Sequence, residues 1–346
     1  MQIVRLSNRE RVEASEVQVL VDPEGEVHLF WIESDWDELE QEYVLRSLYT
    51  DGSWGDEERI GREILYHSPV FLLGEDEDLC YTFSDNYDSH ILKMTCRTSA
   101  GWKVSSLRGY ADQILYQIAL FLDGPRIITA YTTFIEGNST LYFGETRLTG
   151  ESTEIYNLDL AKDQSGGYHL VYTINMTSDK VYRMRVMDSQ DQGRSWSESD
   201  FLSEKLSVSP HFYLAQDGTL YLIWMEFKKL MIAADASGSG WETQEIPVRD
   251  DMYLGLGEVF LEQDAGGEFH IFIWDDLKMY TLHGSFENGF SEPVCILDQV
   301  ESNYLITKIS SAVGLDGTMY VAWSAFNTSD YSEEPAFFGW LPNQDG

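Results

Sequence analysis

The feature that most constrains this chain is a short strand pattern that recurs seven times along it. Each copy is a run of apolar and β-branched residues that ends in an aromatic residue, and successive aromatics are 41 to 52 residues apart. Repeats of this length indicate a propeller or another array of small sheets, because one repeat cannot bury its apolar face alone. The aromatics that end the copies are Trp31, Phe83, Tyr131, Tyr172, Trp224, Trp274 and Trp323.

A second apolar run precedes each copy, and an Asp-Gly or similar turn joins the two runs, which is a hairpin signal. Residues 212–215 and 218–224 form one such pair. A third strand, a further turn and a fourth strand follow each aromatic. We therefore predict an all-β chain that forms a seven-bladed β-propeller of four-stranded antiparallel blades. With no long polar linker in the sequence, we expect a single domain over residues 1–346.

The two ends of the chain indicate how the ring closes. The seventh repeat supplies three strands, and residues 2–6 form a strand pattern that belongs to no other repeat. We expect this N-terminal strand to complete the last blade, because the closed ring then has no open sheet edge at the junction. Six blades with a displaced hairpin is the alternative.

Residues 189–196 read Ser-Gln-Asp-Gln-Gly-Arg-Ser-Trp, which fits the pattern S-x-D-x-G-x-[ST]-W. Asp191 suits a tight turn as an acceptor of backbone hydrogen bonds, Gly193 tolerates a positive φ, and Trp196 can tuck its indole into the sheet. The pattern resembles the Asp-box, or BNR repeat, of sialidase-like β-propellers. That resemblance implies a structural turn between the outer strands of a blade, away from the ligand face, formed by Ser189, Asp191, Gly193, Ser195 and Trp196.

Weaker copies of this turn occur in other repeats. Trp54, Trp102, Trp241 and Phe290 fall at the position of Trp196, whereas the third repeat has no aromatic there. The resemblance therefore extends over the whole chain, although only one copy of the motif is intact.

The charge of the chain limits its partners. Lys and Arg number 23 against 59 Asp and Glu, for a formal net charge of −36. Such a surface argues against binding nucleic acid or an anionic membrane through a basic patch. No apolar run reaches the ~18 residues of a membrane span. The first residues lack the apolar segment of a signal peptide, so the default expectation is a cytoplasmic, monomeric domain.

Three cysteines are too few for a disulfide framework. We expect Cys80, Cys96 and Cys295 to be free thiols. A cross-strand disulfide between Cys80 and Cys96 is the alternative, since the two residues can sit on paired strands of one hairpin.

Propellers place ligands at one mouth of the central channel, on loops that enter the inner strand or leave the second strand. Here those loops are rich in aromatics and carboxylates, which suits a carbohydrate, because rings stack on sugars and carboxylates accept hydrogen bonds from hydroxyls. We assign no catalytic residue. The expected ligand-binding residues are Trp36, His67, Asp85, Tyr116, His211, Glu226, Tyr253, Glu258, Asp275 and Asp276.

No cofactor is expected, because the chain lacks a zinc motif and a glycine-rich phosphate loop. Acidic groups at residues 35–37, 75–78 and 275–276 offer the oxygen ligands that calcium prefers. None of them matches an EF-hand loop, so we assign no metal site.

The resemblance also frames the expected function. A working sialidase would use three arginines to clamp a carboxylate, a Tyr/Glu nucleophile pair and an Asp acid/base. This chain has no R-I-P-like motif near its first repeat. Arg126, in the third repeat, matches that motif only loosely, and Arg183, Arg185 and Arg194 lie around the 189–196 turn. Sialidase activity is therefore not expected.

We favour a non-enzymatic binding or scaffold propeller that recognises a protein or a glycan. The alternative is a glycoside hydrolase or lyase with acidic residues at the channel mouth, because two carboxylates ~5–10 Å apart suffice for glycoside hydrolysis. A purely structural module of a larger assembly is the third hypothesis.

Overall fold

The recurring pattern folds into seven antiparallel sheets, which form the blades of a seven-bladed β-propeller around a central channel. The predicted fold class is therefore confirmed. In the computed structural model the described residues are 2–6, 12–35, 41–63, 69–73, 79–85, 91–109, 115–123, 126–135, 138–149, 154–176, 181–198, 207–226, 228–235, 240–249, 259–275, 278–298, 304–327 and 335–342.

The first four blades follow one another along the chain after a short N-terminal strand, β1 (Gln2–Arg5). Each blade runs from the channel outwards in sequence order. Its strands are β2 (Val12–Val21), β3 (Val27–Asp35), β4 (Gln41–Leu48) and β5 (Glu58–Glu63) in blade 1; β6 (Val70–Leu73), β7 (Leu79–Asp85), β8 (Ile91–Thr98) and β9 (Gly101–Gly109) in blade 2; β10 (Leu115–Asp123), β11 (Arg126–Ile135), β12 (Asn138–Phe143) and β13 (Thr146–Arg147) in blade 3; and β14 (Glu154–Lys162), β15 (Tyr168–Met176), β16 (Val181–Ser189) and β17 (Ser197–Glu198) in blade 4.

The last three blades continue the same order, except that two short segments share the outer position in blade 6, where both pair with the third strand. No helix that could cross a membrane occurs in the part of the chain that the structure describes. The strands are β18 (Ser207–Leu214), β19 (Leu220–Glu226), β20 (Lys229–Asp235) and β21 (Glu242–Ile246) in blade 5; β22 (Val259–Gln263), β23 (Phe269–Asp275), β24 (Lys278–Ser285), β25 (Gly289–Phe290) and β26 (Val294–Asp298) in blade 6; and β27 (Tyr304–Val313), β28 (Met319–Asn327) and β29 (Ala336–Leu341) in blade 7.

The N-terminal strand closes the ring. β1 pairs antiparallel with β29, so that Gln2 faces Trp340 and Arg5 faces Phe337. The last blade therefore has the strand order β27, β28, β29, β1. This pairing confirms the predicted closure and excludes the six-bladed alternative.

Apolar side chains fill the spaces between consecutive blades. Of the recurring aromatics, Trp31 and Trp323 are fully buried and Trp224 almost so. Trp31 packs between blades 1 and 7, and Trp323 between blades 6 and 7. Burial of one large apolar side chain contributes ~1.5–3 kcal/mol to folding. The repeated aromatic is therefore a packing residue that fixes one blade against the next.

The turn at residues 189–196 is closed by its own side chains. Asp191 Oδ1 accepts from the Ser195 N–H (2.8 Å), and its Oδ2 accepts from the Ser195 hydroxyl (2.7 Å). Ser189 Oγ accepts from the Gly193 N–H (2.8 Å), and Trp196 Nε1 donates to the Gly193 carbonyl (3.1 Å). Gly193 has a φ of 80°, which an L-residue rarely adopts. The turn joins β16 to β17, the two outer strands of blade 4.

The prediction of free thiols is wrong for one pair. Cys80 on β7 faces Cys96 on β8, and the two form a disulfide with Cα atoms 4.1 Å apart. Directly opposed residues of antiparallel strands lie close enough to be bridged, and the sequence does not specify which residues are opposed. Cys295 is exposed and remains a thiol, whose Sγ lies 3.4 Å from the Leu297 carbonyl.

Candidate functional site

All the innermost strands begin at the same face of the propeller, which we call the mouth. Second strands end at this face, and the opposite face, the hairpin face, carries the turns between first and second strands. Among the predicted ligand-binding residues, Glu226 ends β19 at the mouth and His211 lies midway along β18. Asp85, Tyr116 and Asp275 lie on described strands at their mouth ends, whereas Trp36, His67, Tyr253, Glu258 and Asp276 lie outside the described residues.

Lateral hydrogen bonds join neighbouring inner strands around the channel. An innermost strand has one edge without a partner strand, so its N–H groups need acceptors from elsewhere. A polar side chain on the preceding inner strand supplies that acceptor. The bonds run from Val19 N to Ser310 Oγ (3.1 Å), from Phe71 N to Gln18 Oε1 (3.1 Å), from Leu158 N to Gln117 Oε1 (3.1 Å) and from Phe212 N to Asp159 Oδ2 (2.8 Å).

Three inner strands carry a β-bulge with a non-glycine residue in the left-handed conformation. Glu16, Asn157 and Ser209 have φ angles of 51°, 50° and 51°. Each lies where the pairing with the second strand shifts register. The left-handed conformation costs ~1–2 kcal/mol for such residues, and bulges commonly re-aim side chains beside binding sites. In β14 and β18 the bulged residue is followed two positions later by Asp159 and His211.

Asp159, His211 and Phe260 form what we call the channel cluster. His211 Nδ1 is 3.7 Å from Asp159 Oδ2, and the two side chains are 39% and 28% exposed. The His211 ring also stacks on Phe260, with centroids 5.9 Å apart. Because His211 contacts the inner strands of both neighbouring blades, its imidazole lies on the channel side of β18. A carboxylate that accepts beside an imidazole that donates or accepts is suited to a hydroxyl-bearing ligand.

Asp159 was not among the predicted residues, and its role is partly structural. Its Oδ1 accepts from the Leu160 N–H (2.8 Å), while its Oδ2 accepts from Phe212 N. These bonds fix the carboxylate in one orientation beside His211. The available signal was an acidic residue between two leucines of an inner strand. Phe260 carries no comparable signal, because an aromatic residue in an apolar strand is most often a packing residue.

At the mouth of blade 1, a buried carboxylate already accepts hydrogen bonds from neighbouring side chains. Glu33 is 4% exposed; its Oε1 accepts from Trp31 Nε1 (3.2 Å) and its Oε2 from Arg59 Nη2 (2.9 Å). Arg59 also pairs with Glu42. Burial acts to lower the pKa of Arg59, but the bonds and charges of Glu33 and Glu42 outweigh it and raise that pKa. This cluster holds the strands of blade 1 together.

Glu226, one of the predicted mouth carboxylates, is also buried, with 7% of its surface exposed. It follows Trp224 by two residues, as Glu33 follows Trp31, so both carboxylates end the second strand of their blades. Glu226 therefore lies at the mouth, as predicted, but its side chain is buried.

Glu262 is the described carboxyl group whose pKa is strongly raised, and it lies nearer the hairpin face than the mouth. Burial raises the pKa of Glu262 to about 8, and a hydrogen bond from Ser311 Oγ (3.4 Å) offsets only part of that rise. Glu262 precedes the hairpin turn of blade 6 by one residue in β22. It follows Phe260 of the channel cluster by two residues on this five-residue strand, on the side towards the hairpin face.

Three histidines brace the hairpin turns. In each case a ring nitrogen contacts an Asp six residues earlier: His28 and Asp22 (2.9 Å), His169 and Asp163 (2.9 Å), and His270 and Asp264 (3.1 Å). The spacing Asp-x5-His was visible in the sequence and was missed.

One of these hairpins carries the donor atoms of a candidate metal site. Asp22, Glu26 and His28 bring their ligand atoms within 4.8 Å of one another. Both ring nitrogens of His28 already have partners, Asp22 and Ser47, and Asp22 Oδ1 accepts from Glu26 N (2.7 Å). The group is therefore explained as a hydrogen-bonded turn.

Of the arginines to which the sialidase resemblance draws attention, Arg126 and Arg194 lie at the hairpin face, whereas Arg183 is the third residue of β16 and lies near the mouth end of that strand. Arg126 begins β11 and pairs with Asp123, the last residue of β10, so it lies at the hairpin face. Arg185 on β16 pairs with Glu198 of the adjacent outer strand (3.1 Å). Arg194 lies within the 189–196 turn.

Comparison with known proteins gives the fold. The chain matches no protein-family model and no curated protein. It is similar to a protein of unknown function from Dyadobacter fermentans DSM 18053 (TM-score 0.56, 12% identity, covering 99% of this chain and 98% of that one). It is also similar to the polysaccharide lyase Uly1 (TM-score 0.55, 10% identity, 94% and 89%).

A third similar structure is Trypanosoma rangeli sialidase in complex with sialic acid (TM-score 0.50, 11% identity, 97% of this chain). This chain spans 56% of the sialidase chain. At such identities the likeness is one of architecture, that of a sialidase-like propeller.

Proposed function

We propose that this propeller binds a neutral saccharide in its central channel and does not cleave it. The observation that carries the proposal is the channel cluster, in which the half-exposed carboxylate of Asp159 and imidazole of His211 lie side by side after strained bulges. Both groups form hydrogen bonds of the kind that sugar hydroxyls satisfy. We also propose that the 189–196 turn is of the Asp-box type, which is a structural turn and not part of the ligand site.

The charge of the protein favours a neutral ligand. With a net charge of −36, an acidic sugar would approach against a strongly negative field. Arg59, near the mouth of blade 1, is held in ion pairs with Glu33 and Glu42. We therefore place uronic and sialic acids outside the ligand class.

The described carboxylates support binding without cleavage. Glycoside hydrolysis needs two carboxyl groups ~5–10 Å apart, one of which carries a proton. Among the described residues, Glu33 has both oxygens occupied by Trp31 and Arg59, and Glu262, whose pKa burial raises to about 8, is hydrogen-bonded by Ser311. The two groups belong to blades 1 and 6, and neither is one of the three residues that form the channel cluster.

Isothermal titration calorimetry with cellotetraose, xylotetraose, arabinotetraose and mannotetraose tests the proposal, with sialyllactose as the acidic probe. We expect a neutral probe to bind and His211→Ala to weaken that binding at least tenfold. The matched control is Leu214→Ser, an exposed position on the same strand beyond the cluster. Binding that His211→Ala leaves unchanged, or binding of sialyllactose alone, would overturn the proposal.

Cleavage is the second candidate function, and the contact of His211 Nδ1 with Asp159 Oδ2 at 3.7 Å favours it, since a carboxylate beside an imidazole suits proton transfer. The same probes, incubated with the protein and assayed for new reducing ends and for unsaturated products, separate the two functions. Product that disappears in both Asp159→Asn and His211→Ala would replace binding by catalysis.

A further inference from the structure

We propose a second saccharide-binding site on the hairpin face, in a cavity where the first and last blades meet, which we call the closure pocket. The cavity has a volume of about 530 Å³. This lies within the ~300–1,000 Å³ range of small-molecule sites. It lies at the hairpin face between blades 1 and 7, whereas the channel cluster comes from blades 4, 5 and 6, so it goes beyond the function proposed above.

The closure pocket is lined by aromatic side chains from four separate segments. Tyr49 comes from the turn after β4, Trp54 from the segment before β5, Tyr320 from β28 and Trp340 from β29. Tyr49 is 40% exposed, whereas large apolar and aromatic side chains are more often buried. Aromatic rings held at the edge of a cavity are the surface against which sugar C–H groups pack.

Two hairpin tips add acidic groups to the rim. Glu24 lies in the β2–β3 turn and Asp316 in the β27–β28 turn, and both line the cavity. Asp316 is held in place because its two oxygens accept from the N–H and the hydroxyl of Thr318 (both 2.9 Å). Burial, together with the charge of Asp316, raises the pKa of Tyr320, so its hydroxyl stays protonated. Carboxylate acceptors beside rings match a neutral sugar and repel an acidic one.

The backbone around the pocket argues against a peptide that would bind as an extra strand. Such a strand needs unpaired N–H and C=O groups. Here the turn backbones are closed within themselves: Tyr49 N bonds to Ser53 O and Gly52 N to Tyr49 O. The hairpin tips do the same, with Gly25 N bonded to Asp22 O and Gly317 N to Gly314 O. Recognition must therefore rest on the side chains.

A second copy of the chain is also a poor occupant. Two molecules that each carry a net charge of −36 repel one another, and the rim itself is acidic through Glu24 and Asp316. A neutral ligand enters without that cost. The chemistry of the pocket therefore selects a neutral saccharide.

The test is a titration followed by intrinsic tryptophan fluorescence, because Trp54 and Trp340 line the pocket. Cellobiose, xylobiose, maltose and lactose serve as probes. We expect at least one probe to change the fluorescence saturably, and Tyr49→Ser to weaken this binding at least tenfold. Asp316→Asn tests the rim separately, since it removes the charge and retains an acceptor for Thr318.

His211→Ala and Leu214→Ser are the controls that separate this site from the channel cluster. The closure-pocket response should persist in both variants, whatever happens at the mouth. The proposal is overturned if no probe gives a saturable response, if Tyr49→Ser binds as tightly as wild type, or if the response disappears in His211→Ala alone. A concentration-dependent dimer that Tyr49→Ser abolishes would overturn it in favour of self-association.

Discussion

Replacement of Gly193 by alanine should destabilise the protein through two separable effects. The first is conformational: Gly193 has a φ of 80°, and a left-handed alanine costs ~1–2 kcal/mol. The second is steric, because a Cβ at this position would lie 2.0 Å from Cε1 of Phe143 on the neighbouring blade. Overpacking of this kind costs ~1–3 kcal/mol. The expected total loss in the free energy of unfolding is therefore ~2–5 kcal/mol.

The Phe143 ring cannot simply move aside. It packs edge-on against Trp196, with centroids 4.9 Å apart, and against Tyr168 at 5.8 Å. Its displacement would disturb the packing between blades 3 and 4. The turn at residues 189–196 therefore does more than join two strands of its own blade, since it also fixes the spacing to the preceding blade.

Gly52→Ala provides a matched control. Gly52 has a φ of 79° in the equivalent turn of blade 1, and a Cβ there would meet nothing within 4 Å. It should lose only the ~1–2 kcal/mol of the conformational cost. Urea unfolding monitored by tryptophan fluorescence and by circular dichroism measures both variants. Equal losses for Gly52→Ala and Gly193→Ala would refute the reasoning, whereas partial recovery by Phe143→Leu in the Gly193→Ala background would support it.

Three further predictions follow from the contacts described. Cys80→Ser should lower the free energy of unfolding by ~3 kcal/mol, the value for a loop of about this length, while Cys295→Ser should have little effect; thiol titration of the unfolded wild type should find one thiol. Burial acts to lower the pKa of His169, but hydrogen bonds to Asp188 and Asp163 outweigh it and raise the pKa above 6.5. The stabilisation by His169 should therefore be complete below pH 6.5 and be lost as pH rises through the folded-state pKa, so that His169→Asn has a flatter melting-temperature profile there than wild type or exposed His283→Asn. Arg59→Met should cost ~1–3 kcal/mol, because it removes a donor from buried Glu33, whereas Arg97→Met, whose pair with Glu58 is exposed, should cost less than ~1 kcal/mol in the same unfolding assay.

Much of the architecture was predictable because the repeat is encoded locally. The recurring aromatic indicates which side of the second strand is buried. The strand at residues 2–6 belonged to no repeat, and the one position left for it in the ring was beside β29. Register was not predictable to the same degree. The bond between Cys80 and Cys96 depends on which residues of β7 and β8 face each other, and no single residue of those strands specifies that alignment.

The candidate site was harder to predict than the fold. His211 was identified because its segment was predicted to enter an inner strand at the mouth, but its partner Asp159 lies 52 residues earlier and meets it only because blades 4 and 5 are neighbours. The left-handed residues Glu16 and Ser209 are not of types that favour this conformation, so turn chemistry gave no warning of them, whereas Asn157 is of a type that tolerates it. Glu33 and Glu226 look like surface acids in the sequence, and only the packing around them shows that they are buried.

The central claim is that the channel cluster holds an uncleaved neutral saccharide. A crystal structure of the protein soaked with the tightest-binding tetrasaccharide of the panel tests it most directly. We predict an intact sugar with hydroxyl oxygens within hydrogen-bond distance of the Asp159 carboxylate and the His211 imidazole. A channel that holds cleaved sugar, or a sugar bound elsewhere with the channel cluster empty, would contradict the claim.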